Sequence, residues 1–149
     1  MTKFKALVPT EAQEMRILAQ WLNYAGVLYC HVPNEGKRSF ATAARLRAEG
    51  MRKGFPDLIV LAPAPNHPEH RGVAIELKRV HRGKLSAEQK QWLEDLAAVG
   101  WCTRVALGAA DAIGFLMTLG YGAHQTPLAC HSSACEVCEG EKAKTVKEG

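Results

Sequence analysis

GFPDLIVLAPAPNHPEHRGVAIELKR, Gly54 to Arg79, is the stretch whose pattern decides the fold of this chain. It holds two apolar runs, LIVLA after Asp57 and VAIELK from Val73. Between them lies PAPNHPEHR, rich in proline and histidine, which predicts an exposed hairpin connection. Pro56 suits the start of the first strand because proline cannot donate to a ladder. Side chains two apart on a strand share a face, so Glu76 and Lys78 project together while Leu77 faces the other way. Charges beside a buried sheet must keep water, find a partner or bind an ion. Two carboxylates on adjacent strands are hard oxygen ligands suited to Mg²⁺ and a substrate phosphate. A lysine beside them can help activate a metal-bound water or offset phosphoryl charge, which points to phosphodiester hydrolysis.

Pro56-Asp57 followed by Glu76-Leu77-Lys78 resembles the motif of the PD-(D/E)xK nucleases. More narrowly, the chain resembles a stand-alone VRR-NUC domain, the virus-type replication-repair nuclease. The likeness runs through HVPNEGKRS (His31 to Ser39), GFPDLIVL (Gly54 to Leu61), AIELKR (Ala74 to Arg79) and LSAEQKQWL (Leu85 to Leu93), within residues 10 to 120. Several coherent segments are far more specific than one short motif. The resemblance implies an α/β fold with a restriction-endonuclease-like αβββαβ core, a mixed central sheet flanked by helices. It also implies Mg²⁺ or Mn²⁺ held by Asp57, Glu76 and the Leu77 carbonyl, with Lys78 orienting or helping to activate the attacking water.

Composition is compatible with this. The 149 residues, 47% hydrophobic and 23% charged, suffice for one well-cored domain and not for two ordinary ones. No apolar run approaches the roughly 20 residues of a membrane span, and the N-terminus lacks a signal-peptide pattern. A cytoplasmic protein without membrane association, in a bacterial or phage-infected host cell, is the expectation. The net charge of +4 is unevenly spread: residues 1 to 53 hold nine Lys/Arg against four Asp/Glu. From Lys37 to Lys53 the cations Lys37, Arg38, Arg45, Arg47, Arg52 and Lys53 face only Glu49. That is the footprint of a phosphate-backbone surface, or else a solvated helix face.

Thr10 caps a first helix, with Gln13 completing a capping box, Ile17, Leu18, Trp21 and Leu22 at helical spacing, and Gly26 as the stop. Glu11 and Glu14 suit two roles. Acids in a first turn answer the helix macrodipole. The resemblance alternatively places one first-helix acid at the metal, and Glu11 fits that position better than Glu14. Residues 27 to 32 form the first strand, and a short helix from Phe40 to Glu49 follows the loop at Pro33. By resemblance His31, Asn34, Lys37, Arg38 and Ser39 lie near the site and hold the substrate backbone; a polar turn introducing the helix explains them as well. Arg52, Lys53, Arg79, Arg82 and Lys84 are further candidates for phosphate contact.

Ser86 caps another long helix ending at Gly100, with Gln89 at the capping-box position and Trp92, Leu93, Leu96 and Ala97 on one face. Capping accounts for Gln89 without function; the resemblance makes it a neighbour of the catalytic residues. Residues 101 to 107 are a fourth strand, and Ala110 to Leu119 a last helix. The domain is expected to span residues 1 to 120, with 121 to 149 as a tail. Cys130, His131, Cys135 and Cys138 in that tail form an incomplete zinc-ligand pattern, a candidate Zn²⁺ site in a segment whose end reads as solvated or disordered. His67 and His70 are assigned no role.

The chain is thus expected to be a metal-dependent DNA endonuclease. Its stand-alone relatives are regarded as homodimers acting on branched DNA such as four-way (Holliday) junctions. The alternatives are a non-catalytic nucleic-acid-binding module and an RNA or nucleotide phosphodiesterase.

Overall fold

The computed structural model describes residues 8–33, 39–80 and 83–122. The elements in chain order are α1 (Glu11–Tyr24), β1 (Tyr29–His31), α2 (Phe40–Ala48), β2 (Leu58–Val60), β3 (Val73–Lys78), α3 (Ala87–Ala98), β4 (Cys102–Leu107) and α4 (Gly108–Thr118). They build one four-stranded sheet in the order β1-β2-β3-β4. The first two pairings are antiparallel, with Leu58 opposite both His31 and Ile75. β3 and β4 run parallel, with Glu76 opposite Val105, and α3 forms the crossover that a parallel pair requires. This is the mixed α/β sheet flanked by helices that the sequence predicts.

β3 is buried along its whole length and β2 likewise, as expected of central strands covered on both faces. Leu58, Val60, Val73, Ile75 and Leu77 join Met15, Leu18 and Leu22 of α1 and Ala109, Ala112 and Leu116 of α4 in the main core. α1 starts as its sequence dictates: Gln13 N–H donates to Thr10 Oγ1 at 3.2 Å, and Thr10 N–H donates to Gln13 Oε1 at 2.8 Å. Its buried face is not the expected one throughout. Ile17 is 48% exposed, because the face is set by Met15, Leu18 and Leu22, a turn or less apart, and Ile17 stands about 100° around from Leu18.

Three further details differ from the predicted elements. The first strand is shorter than 27 to 32, although Val32 N–H still donates to the Asp57 carbonyl at 2.8 Å. The connection between β2 and β3 is exposed at its tip, but Ala62 and Ala64 are buried, and Asn66 donates from its amide to Leu119 O and from its side chain to Thr118 O. α4 begins two residues early, at Gly108, whose φ of +81° favours glycine. Its first turn is capped from elsewhere, since the backbone amide of Ala109 donates to Glu14 of α1 at 2.8 Å.

The residues that follow α4 still contribute to the core. Tyr121 is 1% exposed and donates its hydroxyl to the Ala62 carbonyl at 2.6 Å. Burial pushes that phenol up to about 12.

Candidate active site

The open ends of β2 and β3 bring the two motif acids together. Asp57 stands just before β2, and its Oδ2 accepts the Leu77 backbone amide at 3.0 Å, so the carboxylate is anchored to β3. Glu76 and Lys78 lie on the opposite face of β3 from Leu77. Lys78 Nζ is 2.7 Å from Glu76 Oε1, and the side chains are 8% and 1% exposed. They do not extend into water; they form a buried ion pair.

Gln89 completes this arrangement from α3. Its backbone amide donates to Ser86 Oγ at 3.2 Å, and its Oε1 accepts the Ser86 amide at 2.9 Å. Its Nε2 donates to Glu76 Oε1. One end of the amide caps the helix while the other reaches Glu76. The close seat of α3 against the Asp57 loop depends on Gly54. That residue has φ +84°, and a Cβ there would meet Glu88 Cβ at 2.8 Å and Gln89 N at 2.9 Å.

Oε1 of Glu76 therefore has two donors, whereas Oε2 is buried with no hydrogen-bond partner among the described residues. Burial pushes the Glu76 carboxyl up to about 7, and the nearby Asp57 carboxylate adds to the rise against the pull of Lys78. Burial opposes the Lys78 charge too, but Glu76, Asp57 and Glu11 outweigh it and hold the ammonium above its ordinary value. A buried oxygen lacking a donor beside a second carboxylate is costly unless a cation is present. The donor set is hard oxygen, so these residues fit a divalent cation such as Mg²⁺ or Mn²⁺.

The two first-helix acids occupy different places. Glu14 is 8% exposed and spent on the Ala109 amide, where its charge suits the N-terminus of α4. Glu11 is half-buried, accepts the Arg79 amide at 3.4 Å and shares the wall of a cleft with Asp57 and Leu77. His31 lines the same cleft. The resemblance favours Glu11 over Glu14 for the metal, and it is Glu14 that the long-range amide of Ala109 engages.

The basic candidates are scattered more than their sequence suggests. Lys53 pairs with Glu88 at 3.1 Å, so it does not face Glu49 alone. Arg52 lies over the Trp92 ring at 4.5 Å, and that ring packs edge-on to Phe55. Arg45 pairs with Glu49 one turn away at 3.6 Å. Arg79 Nε donates to Pro9 O at 3.4 Å, and Lys84 is exposed. Ser39 caps α2 by accepting the Thr42 amide at 3.2 Å. Asn34, Lys37, Arg38 and Arg82, and the tail ligands Cys130, His131, Cys135 and Cys138, lie outside the described residues.

A second group of ligand atoms exists at the other end of the β2–β3 hairpin. His67, Glu69 and His70 place one atom each within 4.8 Å of one another, largely exposed. This group shares no residue with the carboxylate site. Met15, Arg16 and Tyr29 also line the cleft without having been singled out by any motif. For Met15 and Arg16 the sequence trace is their spacing with Ala12 and Ala19 along one side of α1.

No helix among the described residues is long and apolar enough to cross a membrane. No curated protein matches the chain. A solved structure of a VRR_NUC domain protein superposes with a TM-score of 0.59 at 24% identity, over 74% of this chain and 88% of that one. That similarity shows the fold. The family model of the VRR-NUC domain matches residues 9–110, which include Glu11, Asp57, Glu76, Lys78 and Gln89. A domain of this family implies a nuclease-type function, and the chain belongs to the VRR-NUC domain family.

Proposed function

We propose that this protein is a Mg²⁺- or Mn²⁺-dependent DNA endonuclease, with Asp57, Glu76, the Leu77 carbonyl and Glu11 as the metal ligands. What supports this most is the buried Oε2 of Glu76, which has no hydrogen-bond partner among the described residues while its neighbours are an acid and an ammonium. A divalent cation bound there would lower the pKa of its water and offset phosphoryl charge. Lys78 keeps its proton and orients the attacking water with its N–H groups, held in place by Glu76. Gln89 holds one oxygen of Glu76, and the second, without a partner among the described residues, would be the one to hold the cation. Glu11 adds negative charge at the cleft side of Asp57.

His31, Asn34, Lys37, Arg38, Ser39, Arg52, Lys53, Arg79, Arg82 and Lys84 are proposed to hold the DNA backbone. Branched DNA cut by a homodimer is the favoured substrate and assembly, since two-fold symmetry suits paired incisions. The domain is taken as residues 1–120, and the tail cysteines and His131 are a proposed Zn²⁺ site.

Labelled four-way junction, splayed-arm, linear duplex and RNA substrates, each incubated with Mg²⁺ and with Mn²⁺, test this function. The proposal expects the junction to be cut fastest. Faster cutting of linear duplex would remove the branch preference, and cutting confined to RNA would replace DNA as the substrate.

A further inference from the structure

The cleft that begins at the carboxylate site continues into a cavity of about 530 Å³ between α1 and β1, within the range of built ligand sites. Glu11, Asp57 and Leu77 are part of its lining, so whatever fills it lies beside Asp57 and, under the nuclease proposal on which this inference rests, near the reacting phosphate. Two carboxylates in that lining repel a second phosphate. The rest of the cavity is apolar in body, formed by Ala12, Met15 and Ala19 along one side of α1.

Tyr29 and Pro33 also line it. Tyr29 is fixed by its hydroxyl, which lies 3.0 Å from Asn23 Oδ1 and 3.3 Å from Ala19 O. It consequently offers its ring rather than a hydroxyl to an occupant. Arg16 and His31, both exposed, supply polar groups for the edge of that occupant. A flat group with an apolar face and a hydrogen-bonding edge suits this set, and a nucleobase has both features. A base stacked inside a duplex cannot enter a recess of this kind; an unpaired or extruded one can.

We infer that the cavity between α1 and β1 receives an unpaired nucleobase adjacent to the scissile phosphate. The two small residues of α1, Ala12 and Ala19, keep the space open for it. Selectivity for branched or single-stranded segments would then arise in part inside one protomer, from the need to place one base outside a duplex.

The experiment uses splayed-arm DNA carrying 2-aminopurine at successive positions beside the cut, and a matching set with an abasic nucleotide at each position. Fluorescence on binding is read in EDTA, and kcat/KM is read with Mg²⁺, for wild type and for the cavity-filling variants Ala19→Leu and Ala12→Leu. Ala12 is exposed, so its variant stays folded if the half-buried Ala19 does not tolerate leucine. One position should change its fluorescence on binding, and an abasic nucleotide there should lower kcat/KM by about tenfold. Both variants should lose the fluorescence change and cut the natural and abasic substrates alike. Equal cutting of both substrates by wild type, with no position responding in fluorescence, would overturn the inference. So would filled variants that discriminate as wild type does. If the wild type cuts nothing, the nuclease proposal fails, and the fluorescence in EDTA still decides whether the cavity takes a base.

Discussion

Lys78 Nζ lies 2.7 Å from Glu76 Oε1 inside the protein, and the same oxygen accepts the side-chain amide of Gln89. The pair is not a stabilising device in itself, because burying two charges costs about as much as their attraction returns. It holds one carboxylate oxygen still, while the other has no hydrogen-bond partner among the described residues. Lys78→Ala should therefore bind DNA but lose roughly 10²- to 10³-fold in single-turnover cleavage, the scale for removing one electrostatic stabiliser. Cleavage within threefold of wild type would remove Lys78 from the chemistry.

Gln89 makes a second separation testable. Ser86→Ala removes only the cap and should cost about 1 kcal/mol of stability with little change in cleavage. Gln89→Ala loses the bond to Glu76 as well, so it should be destabilised similarly but cut at least tenfold more slowly. Chemical denaturation and cleavage rates on the two variants check this; equal cleavage would leave Gln89 a capping residue alone.

Glu11 and Glu14 should part in the opposite sense. Glu14→Ala leaves the buried Ala109 amide without its acceptor and should lower stability by roughly 1–3 kcal/mol while the variant, once folded, retains most of its cleavage. Glu11→Gln should melt near the wild-type temperature and cleave more slowly. Thermal melts paired with cleavage rates read both.

Metal-free protein should show the elevated Glu76 carboxyl as a pH dependence. The folded state binds this proton more tightly than the unfolded chain, whose ordinary value is 4.5 against about 7 when folded. Between those values the folded state holds more proton, so this contribution to stability is present at low pH and lost as pH rises through about 7. Melting in EDTA should thus fall across that window in wild type relative to Glu76→Gln. Mg²⁺, which needs the ionised carboxylate, should raise the melting temperature more at about pH 8 than at about pH 5.5. Identical pH slopes in the two proteins would contradict the assignment.

The fold was legible because its signals are local. Thr10 with Gln13 and Ser86 with Gln89 mark two helix starts, and the alternation through VAIELK marks the strand that carries the site. What was not legible depends on contacts far apart in sequence. Ala109 takes its cap from Glu14, 95 residues away, which moves the start of α4 and gives Glu14 a capping partner that no local pattern announces. Lys53 finds Glu88, 35 residues on, so the basic cluster is less uniform than its count of charges suggests. The alternation rule places Glu76 and Lys78 on one face, but whether that face meets water or α3 depends on the crossover helix, and here it meets Gln89.

The most direct test of the central claim is metal-dependent cleavage of a four-way junction by wild type, Asp57→Ala and Lys78→Ala, with binding of the same DNA measured in parallel. Wild type should cut only when Mg²⁺ or Mn²⁺ is present, and both variants should lose cutting while binding persists. Undiminished cleavage by Asp57→Ala, or wild-type cleavage unchanged in EDTA, would contradict that claim.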